Sequence, residues 1–102
     1  MIVYIAGPIK DMPDYNRDEF MRVQKMLERE GHTVFNPTSY IPNVNPEAVP
    51  YESYLQISMT MLHHCDAIYL LDGWTNSRGA IIEHAYAIAS GIRVHYDEQR
   101  QD

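Results

Sequence analysis

The run Ile2-Val3-Tyr4-Ile5-Ala6 is apolar at every position and is stopped by Gly7-Pro8. A strand with one wet face alternates apolar and polar residues. A strand that is apolar throughout is buried on both faces, as in a parallel sheet covered by helices on each side. A third buried strand is read at Asp66–Leu71, apolar from Ala67 onward, which exits through the turn-rich Asp72-Gly73-Trp74-Thr75-Asn76. Two shorter strands are expected at His32–Phe35, ended by Asn36-Pro37 because proline cannot donate to a ladder, and at Ile92–Tyr96.

Helical spacing fills the gaps. Asn16 followed by Glu19 reads as a capping box, Phe20, Val23 and Leu27 form the apolar stripe behind it, and Gly31 ends the helix. Tyr51, Tyr54, Leu55, Ser58, Met61, Leu62 and Cys65 recur at three-and-four spacing, which predicts a second helix with these residues mostly in the core. A third runs from Ser77 through Ala80, Ile81, Ala85 and Ile88 to Gly91. Pro37, Pro42, Pro46 and Pro50 forbid a regular element from Asn36 to Pro50, so this stretch is a lid candidate. The tail after Tyr96 is polar and expected to fray. The alternation predicts an α/β fold: a flavodoxin-like or Rossmann-like three-layer sandwich on a four-stranded parallel sheet of order 2-1-3-4. With 102 residues the whole chain, 1–102, is expected to form a single domain with a thin core. In that order the chain reverses direction between the first and third strands, and their carboxyl ends open a crevice where ligands bind.

Fourteen acidic and eight basic residues leave a formal charge of -6, which repels a phosphate backbone and argues against a nucleic-acid polymer as partner. No run approaches the ~18 apolar residues of a membrane span, and the first residues lack a secretion signal, so a cytoplasmic protein without membrane contact is expected. The lone Cys65 forms no internal disulfide and reads as a small buried hydrophobe. His63, His64, Cys65 and Asp66 are adjacent and point in different directions from a helix, so no metal site is expected there.

Chemistry concentrates in the two loops that meet at the crevice. Ser77 is placed to cap the third helix, Gly79 to let a ligand approach its first amides, and Arg78 puts a cation where the helix dipole disfavours one unless an anion or partner answers it. Glu83 lies six residues past Ser77, about 9 Å along the helix axis, and helical side chains lean toward the N-terminus. Opposite, Gly7-Pro8-Ile9-Lys10 offers a rigid turn, an apolar contact and a cation. Without a ligand, the same residues read as a helix cap, a solvated arginine and a glutamate paired with a neighbouring base. With one, they suit a nucleoside 5′-monophosphate: an anionic end, an apolar plane, and between them a carboxylate able to attack an anomeric carbon.

At these residues the chain resembles the nucleoside 2-deoxyribosyltransferase-like family, particularly its short phage-type members and the related deoxynucleoside 5′-monophosphate N-glycosidases. Tyr4-Ile5-Ala6-Gly7-Pro8 is similar to the family's opening motif. Cys65-Asp66-Ala67-Ile68, Gly73-Trp74, Ser77, Gly79, Ala80 and Glu83 are similar to its second. The resemblance implies Glu83 as nucleophile, Tyr4 as the hydroxyl that positions it, Ser77 as a phosphate ligand, and Lys10 as the basic residue after Gly7-Pro8-Ile9. It also implies a homodimer or higher homo-oligomer and cleavage of an N-glycosidic bond, by hydrolysis or by transfer to a second base; no cofactor is expected, since the carboxylate and the helix dipole supply the electrostatics. Hydrolysis is preferred, because no second base pocket is found. The chain departs from the family at Ser58, where an aspartate helps the base to leave; Asp72 is the candidate substitute. If that substitution fails, the alternative is a non-catalytic nucleotide-binding protein, a sensor or a sequestering module.

Overall fold

The computed structural model describes residues 1–40 and 50–97 of the chain. Strands β1 (Ile2–Ala6), β2 (Thr33–Phe35), β3 (Ala67–Leu70) and β4 (Arg93–Tyr96) alternate with helices α1 (Arg17–Arg29), α2 (Tyr51–His63) and α3 (Arg78–Ala89). All pairings are parallel, in the order β2-β1-β3-β4. This is the topology that the apolar runs predict. Asp66 precedes β3 instead of opening it. Its carboxylate accepts the Ile2 amide at 2.8 Å and so closes the end of the β1–β3 ladder.

The sheet separates two apolar layers. Val3, Ile5, Ala67 and Leu71 meet Phe20, Val23 and Leu27 of α1 on one face. Tyr4, Ala6, Ile68 and Leu70 meet Leu62, Ala80 and Ala87 of α2 and α3 on the other. Cys65 is buried in this second layer, where desolvation first and Asp66 second push its thiol up to about 12, so it stays an unreactive hydrophobe. In right-handed crossovers the helices run antiparallel to the strands, so all three helix N-termini lie at the carboxyl edge of the sheet.

Local signals are mostly obeyed. Gly31 and Gly91 adopt φ of +93° and +75° just past the ends of α1 and α3, a conformation that costs glycine nothing. The capping box is a correction. Asn16 sits at φ +62° and makes no cap bond; its amide donates to the Pro8 carbonyl at 2.9 Å, while Glu19 pairs with Arg22. Asn16 thus ties the loop after β1 to the start of α1. The tail also departs from expectation at its first residue. The Asp97 side chain is buried, accepting from Arg22 of α1 and Tyr69 of β3, so this residue is tied to the fold; residues 98–102 lie outside the described residues. Within the proline-rich stretch, Pro37–Tyr40 forms a 3₁₀ turn and Pro50 caps α2. Residues 41–49, most of the lid candidate, lie outside the described residues.

Gly7 is required by packing. A β-carbon there would stand 2.8 Å from the Leu71 β-carbon, which cannot move without the backbone. Gly7→Ala is therefore expected to destabilise the protein by roughly 1–3 kcal/mol, the usual penalty of overpacking. A urea denaturation midpoint checks this, and Leu71→Ala in the same background, which keeps the clashing β-carbon and opens a cavity, should recover none of the loss.

Candidate functional site

Three elements deliver one side chain each to a point beneath the helical layer. Tyr4 lies at the centre of β1, paired with Phe35 on one side and Ile68 on the other, and is fully buried. Glu83, on the second turn of α3, faces inward and is only 6% exposed. The Tyr4 hydroxyl donates to Glu83 Oε2 at 2.7 Å. The third member is Ser58 of α2, also buried, whose side chain hydrogen-bonds the same carboxyl.

Burial dominates the electrostatics. Desolvation pushes Glu83 up to about 7, against the opposing pull of the bonds from Tyr4 and Ser58, which favour the charged form. A carboxyl so placed changes protonation near neutrality, and the two hydroxyls fix the direction of its lone pairs. It can serve as a nucleophile or a proton carrier.

The start of α3 lies one turn nearer the carboxyl edge. Ser77 caps the helix, its side chain accepting from the Ala80 amide at 3.2 Å. By helix geometry the amides of Arg78 and Gly79 have no intrahelical acceptor. Arg78 is answered by a partner within the chain, its guanidinium lying 5.5 Å from the centre of the Tyr51 ring. Tyr51 opens α2, and its hydroxyl lies where a β-carbon on residue 79 would come within 2.8 Å of it. Burial first, and the charge of Glu83 after it, raise the Tyr51 phenol above its ordinary value, with Arg78 opposing, so it remains a protonated donor.

The remaining predicted residues fall around this point. Pro8 packs against Gly73, its γ-carbon 3.6 Å from that residue's β-position, and so joins the loops after β1 and β3. Ile9 packs into the α1-side layer, on the opposite face of the sheet from Glu83. Lys10 and Asp72 are exposed at the carboxyl edge. The Trp74 and His84 rings pack at a tilt, 4.4 Å between centres, and His84 shares a hydrogen bond with Tyr96, so this aromatic group closes the end of β4. Two grooves of about 680 and 460 Å³ flank α2. They are lined by Leu55, Met59 and Ile82 and by Phe35, Ile57 and Met61 among others. Neither is lined by Glu83 or Ser77; both belong to the outer face of α2.

Two residues of the site escape a reading of the sequence. Ser58 reads as a departure and Tyr51 as core, yet Ser58 holds the buried carboxyl and Tyr51, 36% exposed, stands over Gly79. Gly79 was the available signal, since glycine in a helical turn marks a close approach, but its neighbour cannot be read from spacing.

Tyr4, Ser58 and Glu83 thus come together between the parallel sheet and the helices α2 and α3 of a small α/β protein. Residues 1–96 match the family described as a domain of unknown function (DUF4406), and the chain belongs to that family. Among curated proteins, none matches the chain.

The raised Glu83 fixes a pH dependence of stability. Between about 4.5 and about 7 the folded chain binds more protons than the unfolded one, so stability falls as pH rises through this window and levels off above it. The full difference is roughly 3 kcal/mol at 1.36 kcal/mol per pKa unit. Urea denaturation from pH 4.5 to 8 should show this slope in the wild type, and Glu83→Gln should remove it.

Proposed function

We propose that the protein cleaves the N-glycosidic bond of a (deoxy)nucleoside 5′-monophosphate with Glu83 as nucleophile. The observation that carries this reading is the buried Glu83 carboxyl, oriented by Tyr4 and Ser58, one helical turn behind the amides of Arg78 and Gly79. The resemblance to nucleoside 2-deoxyribosyltransferase-like proteins at Tyr4, Gly7-Pro8, Ser77, Gly79 and Glu83 supports it.

In this reading the phosphate rests at the start of α3 on Ser77, Arg78 and Gly79, where amides and helix dipole favour an anion. A carboxylate at Ser77 would repel it. Gly7, Pro8 and Lys10 border the base. An ionised Glu83 oxygen bonds to C1′ as the C–N bond breaks. The electron pair leaves with the base, which takes a proton from water or from Asp72. Water then adds to C1′, giving its proton to the solvent or to the ionised Asp72 and so replacing the one the base took, breaking the ester, releasing the sugar phosphate and restoring the carboxylate. No cofactor enters these steps. Tyr4 and Ser58 hold the carboxylate in line, and their bonds lower the energy of its charged form.

A second reading rests on Ser58. Its hydroxyl is engaged with Glu83 and is far too weak an acid to protonate a leaving base, which favours a nucleotide-binding protein without turnover. Self-association belongs to either reading. Ile57, Ile81 and Ile88 are exposed on α2 and α3, helices whose outer surfaces carry few charges, and a second copy of the chain is the proposed occupant.

Incubation with a panel of nucleoside 5′-monophosphates and nucleosides, followed by chromatography for free base, separates the two readings. Release from monophosphates, abolished in Glu83→Gln, supports catalysis; binding without release, unchanged in Glu83→Gln, supports the alternative. Because the nucleophile must be ionised, kcat/KM should rise tenfold per pH unit below about 7 and level off above it.

A further inference from the structure

We propose that Tyr51 selects the charged end of the ligand, its hydroxyl over Gly79 hydrogen-bonding the terminal anionic oxygen while Glu83 faces the carbon to be attacked. This rests on the reading of Glu83 above and names the residue that makes the site prefer a monophosphate over a nucleoside.

Four observations converge. Tyr51 is the first residue of α2 and Arg78 the first of α3, and the two helix starts meet through the guanidinium over the phenol ring. The ring is thus braced while its hydroxyl remains uncommitted: among the described residues no protein group hydrogen-bonds it. The hydroxyl also occupies the space that any side chain at residue 79 would need, its ring carbon lying a further step away at 3.9 Å. The tyrosine hydroxyl at 51 therefore needs glycine at 79, and phenylalanine at 51 would remove the hydroxyl while keeping the ring in contact. Lastly, Gly79 and Glu83 are four residues apart on one face of α3, about 6 Å along the axis. That is about the span of a ribose between its 5′-oxygen substituent and its anomeric carbon.

A neutral phenol suits this position. Unlike a second cation it adds no repulsion to Arg78, and burial together with the charge of Glu83 keeps its proton in place. An anionic oxygen between the hydroxyl and the guanidinium receives two donors from different helices, and the bond to Tyr51 becomes charge-assisted only when the ligand is charged. An uncharged 5′-hydroxyl gains much less from the same contact, so the tyrosine discriminates by charge and not by shape alone.

The test compares base release from one deoxynucleoside 5′-monophosphate and from the same deoxynucleoside, by wild type, Tyr51→Phe, Gly79→Ala and the double variant, with thermal midpoints measured alongside. Tyr51→Phe is expected to raise KM for the monophosphate about ten- to a hundredfold, as for a lost hydrogen bond to a charged group, with kcat within about twofold. The nucleoside's kcat/KM should hardly move. Gly79→Ala, whose methyl group displaces the hydroxyl without altering Tyr51, should likewise raise KM for the monophosphate. The double variant should be no worse than the worse single one, because both remove the same bond. Should the wild type release base while Tyr51→Phe keeps the monophosphate-to-nucleoside preference intact, the assignment of Tyr51 is overturned and Glu83 stands. Should the wild type release base from neither compound, the reading of Glu83 fails, and this assignment with it.

Discussion

Glu83 carries a carboxyl group into the layer between the sheet and two helices, where an unpartnered charge would cost several kcal/mol. The neighbouring residues answer that intrusion. Tyr4 brings a hydroxyl from β1, held between β2 and β3 and so unable to swing away. Ser58 brings a second from α2. One buried acid therefore ties the central strand to both helices on that face, and its protonation near neutrality follows from the same burial that holds it still. Removing the acid alone would leave the two buried hydroxyls without this acceptor, so the three side chains stand or fall together.

The two faces of the sheet are built differently. On the outward side α1 carries Arg17, Asp18, Glu19, Arg22, Lys25, Glu28 and Arg29, and its buried stripe is the narrow set Phe20, Val23 and Leu27. Among Asp, Glu, Lys and Arg, α2 holds Glu52 alone, and α3 holds Arg78 and the buried Glu83. A helix apolar around most of its circumference is normally covered on more than one side. Glu52, Arg78 and Glu83 together leave α2 and α3 a formal charge of only -1, so repulsion between copies meeting on these helices is weak. The proposed self-association and the site thus share the same pair of helices.

Strand order and helix placement were legible because they depend on patterns that the chain displays locally: the runs at Ile2–Ala6 and Ala67–Leu71, and the stripe Phe20, Val23 and Leu27. The pairing of Tyr4 with Glu83 was legible only through family resemblance, since 79 residues separate them. What stayed hidden depends on side-chain direction. Asn16 has the identity of a cap but sits in a left-handed conformation, so its amide turns to Pro8. Ile9 was expected beside the ligand, yet the turn at Gly7-Pro8 sends it to the α1 side. Asp97 looks like part of a polar tail, and only the fold shows Arg22 and Tyr69 waiting for it. Ser58 and Tyr51 share the apolar spacing of α2, and spacing alone cannot separate a core position from one that faces a buried acid.

The central claim is that Glu83 forms a bond to the sugar. Its most direct test is mass spectrometry of the intact and protease-digested protein after incubation with a 2′-fluoro-2′-deoxynucleoside 5′-monophosphate. The fluorine slows both steps at C1′ and favours accumulation of the intermediate. Release of the base is expected together with one sugar-phosphate adduct on the peptide containing Glu83, absent in Glu83→Gln. Base release with the adduct on another residue, or undiminished base release by Glu83→Gln, would contradict it.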